Sequence, residues 1–197
     1  MNTASLKIDN RKDVLLLLLL SPGRSETKNE TISGRTRFMK LVYLFYKELI
    51  SKLPSFEDIG TNSQHEFKPY HFGPFSKDIF DDIQFLENAD LVKEEAGGDL
   101  SMAELAESRL FLDEVLLERI ETEESNEPYV EPAFRLSESG VTFAERLYVL
   151  LKPQERSALQ QFKARYNNLP LSTLLRYVYA AYPESAVESR IRDLAWK

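Results

Sequence analysis

The chain has 197 residues, of which 43% are hydrophobic, 29% charged and 11% aromatic, with a formal net charge of −7. This composition suits a globular protein with a sizeable core. Seven Gly, nine Pro and no Cys exclude a collagenous or linker-rich chain, a disulfide scaffold, a thiol nucleophile and a cysteine zinc site. No run reaches the roughly 18 apolar residues of a membrane helix, so the sequence reads as a cytoplasmic protein that does not engage membranes.

Charge is unevenly spread. Residues 74–124 hold 4 basic and 16 acidic side chains, whereas residues 1–73 hold 11 and 8. Nucleic-acid affinity rests on Lys and Arg displacing counterions, so the acidic middle repels a phosphate backbone.

In chain order, Lys7, Arg11 and Lys12 precede the apolar run 14–20 in the manner of a targeting signal, but Asp9 and Asp13 interrupt the basic stretch and no cleavage pattern follows. A core helix capped by Asp9 or Asn10, apolar nearly all round and stopped by Ser21-Pro22-Gly23, accounts for the same residues. Residues 21–34 read as a polar loop. A second helix starts near Arg35, with Phe38, Leu41, Val42, Phe45 and Leu49 on one face, and closes at Lys52-Leu53-Pro54. Residues 64–71 read as extended because Pro69 forbids a helix interior, and Gly73-Pro74 turns the chain. A third helix runs from about Phe75 to Asn88, with Phe75, Ile79, Ile83 and Leu86 inward and Lys77, Asp78, Asp81 and Asp82 outward.

A short strand is expected at 91–95. From Gly97-Gly98 to about Glu127 helix and strand patterns compete. A strand at 133–136 then leads into a helix with Ser137 as its N-cap, running to about Leu151. Three further helices follow, opened by Pro153, Pro170 and Pro183. The order helix, helix, helix, strand, strand, helix is that of a winged-helix unit. The expected fold is therefore α+β and mostly helical: one domain over 1–197, with a winged-helix-like part at 9–151, an acidic wing insert at about 96–127 and a three-helix C-terminal extension at 152–197.

Motifs for chemistry are sparse. His65 and His71 match no zinc spacing and no other His or Cys completes a ligand set, so no metal is expected there; His71 reads as structural, placed to bond the turn before the third helix. Gly73-Pro74 before Phe75-Ser76 offers an anion site at a helix start, but Pro74 removes a donor and Asp78, Asp81 and Asp82 repel the ligand, so a simple turn is expected. The acidic pairs Asp81-Asp82, Glu94-Glu95 and Glu123-Glu124 diverge by about 100° where helical and read as solvated faces. No catalytic residue, metal ligand or cofactor is expected.

Three segments, in order, carry a resemblance. They are Arg35-Thr36-Arg37-Phe38-Met39-Lys40-Leu41-Val42-Tyr43-Leu44; Tyr70-His71-Phe72-Gly73-Pro74-Phe75-Ser76; and Leu169-Pro170-Leu171-Ser172 with Leu174-Leu175-Arg176-Tyr177-Val178-Tyr179 and Tyr182-Pro183-Glu184. With the helices that join them, they resemble YwgA-type proteins and, more distantly, the SocA-like antitoxin domain called Panacea. The acidic insert lies outside this likeness. The resemblance implies a non-enzymatic module that binds a protein, such as a toxin, and it brings no catalytic residues.

The first expectation for function is thus an antitoxin-like or defence-associated adaptor for a toxin or basic protein, alone or as a homodimer. Leu110, Phe111, Leu112, Leu116 and Leu117, mixed with acid in the insert, are its candidate contacts. The alternative is a DNA-binding regulator using Arg35, Arg37 and Lys40.

Overall fold

The computed structural model describes residues 6–59, 64–70, 73–97 and 132–189. The chain is mostly helical, with one small antiparallel sheet. In order it forms α1 (Arg11–Leu20), β1 (Ile32–Ser33), α2 (Arg35–Leu44), α3 (Lys77–Asn88), β2 (Val92–Ala96), β3 (Pro132–Leu136), α4 (Glu138–Leu150), α5 (Pro153–Tyr166) and α6 (Leu171–Ala181). The sheet order is β1-β3-β2, with Ile32 opposite Phe134 and Val92 opposite Leu136.

Asn10 is the N-cap of α1, and Asp13 returns a bond to its backbone, completing a capping box. Residues 14–20 are all buried, which explains a run with no polar face: α1 is packed by α3, α4 and β3 around its circumference. At the far end of α1, the fully buried Lys163 of α5 donates to the carbonyls of Leu19 (2.8 Å), Ser21 (2.8 Å) and Glu30 (2.7 Å). A cation there meets the negative end of the helix dipole. One contiguous buried cluster joins side chains from α1 through α6, including Phe38, Phe134, Leu147, Phe162 and Leu175.

Away from α3, three elements depart from the sequence expectation. Residues 21–34 include a two-residue strand, β1, too short for any periodicity to register. The loop before it is tied to the sheet by Asn29, held at φ 59°, whose side chain accepts from Leu136 N (2.8 Å) and donates to Leu136 O (3.0 Å). The second helix stays regular only to Leu44 and continues as a π-helical turn at Phe45–Leu49 and a 3-10 turn at Ile50–Lys52. The segment opened by Pro183 is a 3-10 turn, Pro183–Ala186; its expected continuation beyond residue 189 lies outside the described residues. No helix among the described residues is long and apolar enough to cross a membrane.

Candidate functional site

The segment around Gly73-Pro74 is a hairpin feeding α3, not a lone extended stretch followed by a turn. Lys68 and Phe75 exchange two backbone hydrogen bonds of 2.9 Å, and Tyr70 and Gly73 exchange two more of 3.0 and 2.9 Å. Phe75 therefore belongs to the hairpin, Ser76 is the N-cap of α3, and the helix begins two residues later than its apolar spacing suggests. Gly73 closes the turn at φ 80°, a region open to Gly at little cost.

Helix α2 fixes this hairpin from below. Lys40, 2% exposed, donates to the carbonyl of Pro74 at 2.8 Å, and Met39 Sδ accepts from Ser76 N at 3.3 Å. Burial pushes the Lys40 ammonium down to about 7.

Beneath the first turns of α3 lies a polar chain, buried at His65 and Asp82 and reaching solvent at Arg11 and Asp78. Asp82 accepts from Arg11 Nε (2.6 Å) and from His65 Nε2 (3.2 Å), and pairs with Lys12 at 3.1 Å. Tyr46 lies 3.0 Å from the other ring nitrogen of His65, so the hydroxyl donates to Nδ1 when Nε2 carries the proton. Asp78 takes a second arm of Arg11 at 2.9 Å. Burial opposes the charge on Asp82, but the donors from His65, Arg11 and Lys12 outweigh it and hold the carboxyl at about 2. For His65, burial outweighs Asp82 and moves the ring below its ordinary value, which keeps it neutral near pH 7. Every acid and base in this chain of contacts has a partner, and together they brace α3 against α1 and the segment that carries His65. His71 lies outside the described residues, and among them no group of three or more His, Cys, Asp or Glu is placed to hold a metal ion.

A second polar knot binds α6 to the π-helical turn. Glu48 accepts from Tyr166 (2.6 Å), Tyr177 (2.7 Å) and Tyr182 (3.2 Å), and Arg165 lies over the rings of Tyr166 and Tyr177. Burial comes first among the causes that raise all three phenols, with Glu48 adding to it.

The outward surface is formed by the hairpin and α3. Tyr70, Phe75 and Phe80 line up with ring separations of 5.1 and 6.2 Å, and Arg35 stands 5.7 Å from the centre of Phe80. On the next strip of α3, Asp81 is exposed beside Phe85, which is 57% exposed with Lys12 over its ring.

The residues expected to contact nucleic acid do not form an open basic patch. Arg35 pairs with Glu94 at 2.9 Å, and Arg37 donates to the carbonyls of Ser33, Asn167 and Leu169, tying β1 to the α5–α6 link. Lys40 is a correction: its ammonium is enclosed under Pro74 and cannot meet a duplex phosphate. The candidate contacts Leu110, Phe111, Leu112, Leu116 and Leu117 lie outside the described residues.

Sequence reasoning missed the aromatic file. Its signal was present in Tyr70-His71-Phe72-Gly73-Pro74-Phe75, where aromatics crowd a Gly-Pro turn, but only the hairpin pairing aligns two of them with Phe80. Compared with family models, curated proteins and solved structures, the chain matches none.

Proposed function

We propose that this protein is a non-enzymatic protein-interaction module, antitoxin-like or a defence-associated adaptor, built on an elaborated winged helix with a helical C-terminal extension. The order α1-β1-α2-α3-β2-β3 with sheet order β1-β3-β2 supports the winged-helix reading, in which α3 takes the place of the recognition helix. One observation carries the functional choice. The outer face of α3 presents Asp81 and an exposed Phe85, while Arg35, Arg37 and Lys40 are engaged within the protein. With the exposed Lys77 offset by Asp81, this face lacks the excess positive charge that phosphate binding needs, and it offers an aromatic anchor of the kind that dominates protein interfaces. The acidic composition of residues 74–124 fits a basic partner surface.

The test is a gel shift set beside a pull-down. Binding to a generic duplex is expected to be weaker than roughly 10 µM at about 0.15 M salt, and Phe85→Ala with Asp81→Lys is expected to reduce recovery of a specific protein partner. Tight, salt-sensitive duplex binding that disappears in Arg35→Glu/Arg37→Glu would overturn the reading in favour of a DNA-binding regulator.

A further inference from the structure

The last turn of α4 ends in two apolar side chains turned to solvent: Val149 is 70% exposed and Leu150 41%. Their flanks are basic. Arg146, one turn earlier on the same face, and Lys152, just past the helix end, are both exposed. Arg156, from the first turn of α5, donates to the carbonyl of Val149 at 2.9 Å and lies 5.2 Å from the centre of the Tyr148 ring, where Lys28 also stands at 5.2 Å. Two carboxylates share this end of the helix and are already committed. Glu145 pairs with Lys28 at 3.0 Å, and Glu155, 4% exposed, is turned inward to accept from Ser55 N, Ser55 Oγ and Lys152 N, each at 2.7 Å. Four cations against two carboxylates leave this patch positive on a chain whose net charge is −7.

We propose that the C-terminal end of α4, with Val149 and Leu150 framed by Arg146, Lys152 and Arg156, is a docking surface for an acidic amphipathic segment of a partner protein. The patch sets both halves of that chemistry. Exposed valine and leucine gain only when apolar area covers them, and the aliphatic stems of Arg146 and Lys152 extend that area while their heads stay free for carboxylates. The Debye length is about 8 Å at physiological salt, so the acid elsewhere on the chain is screened and the local cations decide what approaches. A nucleic-acid backbone would satisfy the cations but leave Val149 and Leu150 in water, whereas an amphipathic segment satisfies both. The surface is also held in advance: Tyr148 and Leu151 are buried on either side of the pair, and Arg156 is fixed to the Val149 carbonyl. It shares no residue with the outer face of α3, so it goes beyond the reading above and gives an adaptor two faces of opposite charge.

Fluorescence anisotropy of the full chain with four labelled probes tests this: a peptide of Glu and Leu in helical spacing, the same peptide with Lys for Glu, the same peptide with Ser for Leu, and oligo-dT. The Glu/Leu peptide is expected to bind saturably, with each other probe at least about tenfold weaker. Val149→Ser/Leu150→Ser and Arg146→Glu/Lys152→Glu should each cost about tenfold, or 1.4 kcal/mol, and the second pair should also flatten the salt dependence. All four side chains are exposed, so both variants are expected to keep the wild-type melting curve, and the charge pair tests the surface independently of the apolar pair. Absent binding, equal binding of the Lys or Ser peptide, undiminished binding by either variant, or a preference for oligo-dT would each overturn the surface. Light scattering that shows a dimer lost in Val149→Ser/Leu150→Ser would overturn it in favour of a second copy of this chain. None of these results bears on Phe85 and Asp81, so the interaction reading stands or falls on its own test.

Discussion

Gly73 and Tyr179 are packed so closely that a Cβ on Gly73 would lie 2.6 Å from Cε1 of the tyrosine ring. The third segment of the resemblance thus touches the second directly: the α6 ring is the floor under the hairpin turn. Burial pushes the Tyr179 phenol up to about 12, and its hydroxyl accepts from Ser189 at 2.9 Å, so the ring has little room to retreat.

Gly73→Val adds this clash to a backbone held at φ 80°, and a loss of about 1–3 kcal/mol is expected. Chemical denaturation measures it; an unchanged midpoint would show that the turn relaxes freely.

Lys40 and Lys163 are both buried lysines held down to about 7, yet their substitutions should differ in sign. Burial is the leading cause for both, and Glu30 partly opposes it for Lys163. Because their ordinary value is 10.5, the unfolded chain binds more protons between about pH 7 and 10.5, and stability should rise with pH across that window. Lys40 satisfies one carbonyl, so Lys40→Met should raise the melting temperature at pH 6, with the gain fading towards pH 10. Lys163 satisfies three, and Lys163→Met should cost about 3 kcal/mol by leaving them buried without a donor. Urea titrations across pH compare the two.

Asp82 is held at about 2 against an ordinary 3.8. A depressed carboxylate contributes stability above its unfolded value and loses it as pH falls through the folded one, so this contribution should fade between about pH 4 and pH 2. Asp82→Asn should cost about 2 kcal/mol at pH 7, since it removes the charge that His65, Arg11 and Lys12 share while Arg11 keeps Asp78. Its acid limb should be flatter than that of wild type in a pH-resolved melt.

Gly140 lies where a Cβ would overlap the carbonyl oxygen of Leu91, at the junction of α4 with the α3–β2 turn. Ala in place of Gly stabilises most helices by up to about 1 kcal/mol; here Gly140→Ala should destabilise by about 2 kcal/mol through overpacking. A thermal melt reads the sign directly.

Long, strongly patterned elements were legible in the sequence. The apolar run of α1 with a cap at Asp9 or Asn10, the inward Ile79, Ile83 and Leu86 of α3, and Ser137 as the N-cap of α4 follow from spacing and cap chemistry; Asp82, read as part of a solvated outer face, is instead 3% exposed because Arg11, Lys12 and His65 close over it. Contacts that depend on distant partners were not. Lys40 reads as a surface cation at the start of an amphipathic helix, and only the docking of Pro74 over it makes it buried. Arg37 likewise reads as free until the α5–α6 link brings the Asn167 and Leu169 carbonyls to it. His65 carries no signal of its place in the sequence, because its partners Tyr46 and Asp82 are 19 and 17 residues away, beyond any local pattern. The π-helical turn was hidden for a different reason: its apolar residues keep helical spacing while the backbone adds a residue to the turn.

The amide of Asn29 occupies both backbone groups of Leu136 and so stands where another strand's peptide would pair. Together with the two residues of β1, it fills the side of β3 that faces away from β2. A second chain attempting to extend the sheet there would first have to displace this plug and unravel the loop that carries it. Among the described residues the outer strands are β1, only two residues long, and β2, which carries Lys93, Glu94 and Glu95. Charged side chains on an outer strand discourage edge-to-edge association. In the three-stranded sheet that supports α3, the short β1, the Asn29 plug and the charges of β2 all work against edge-to-edge pairing of the described strands.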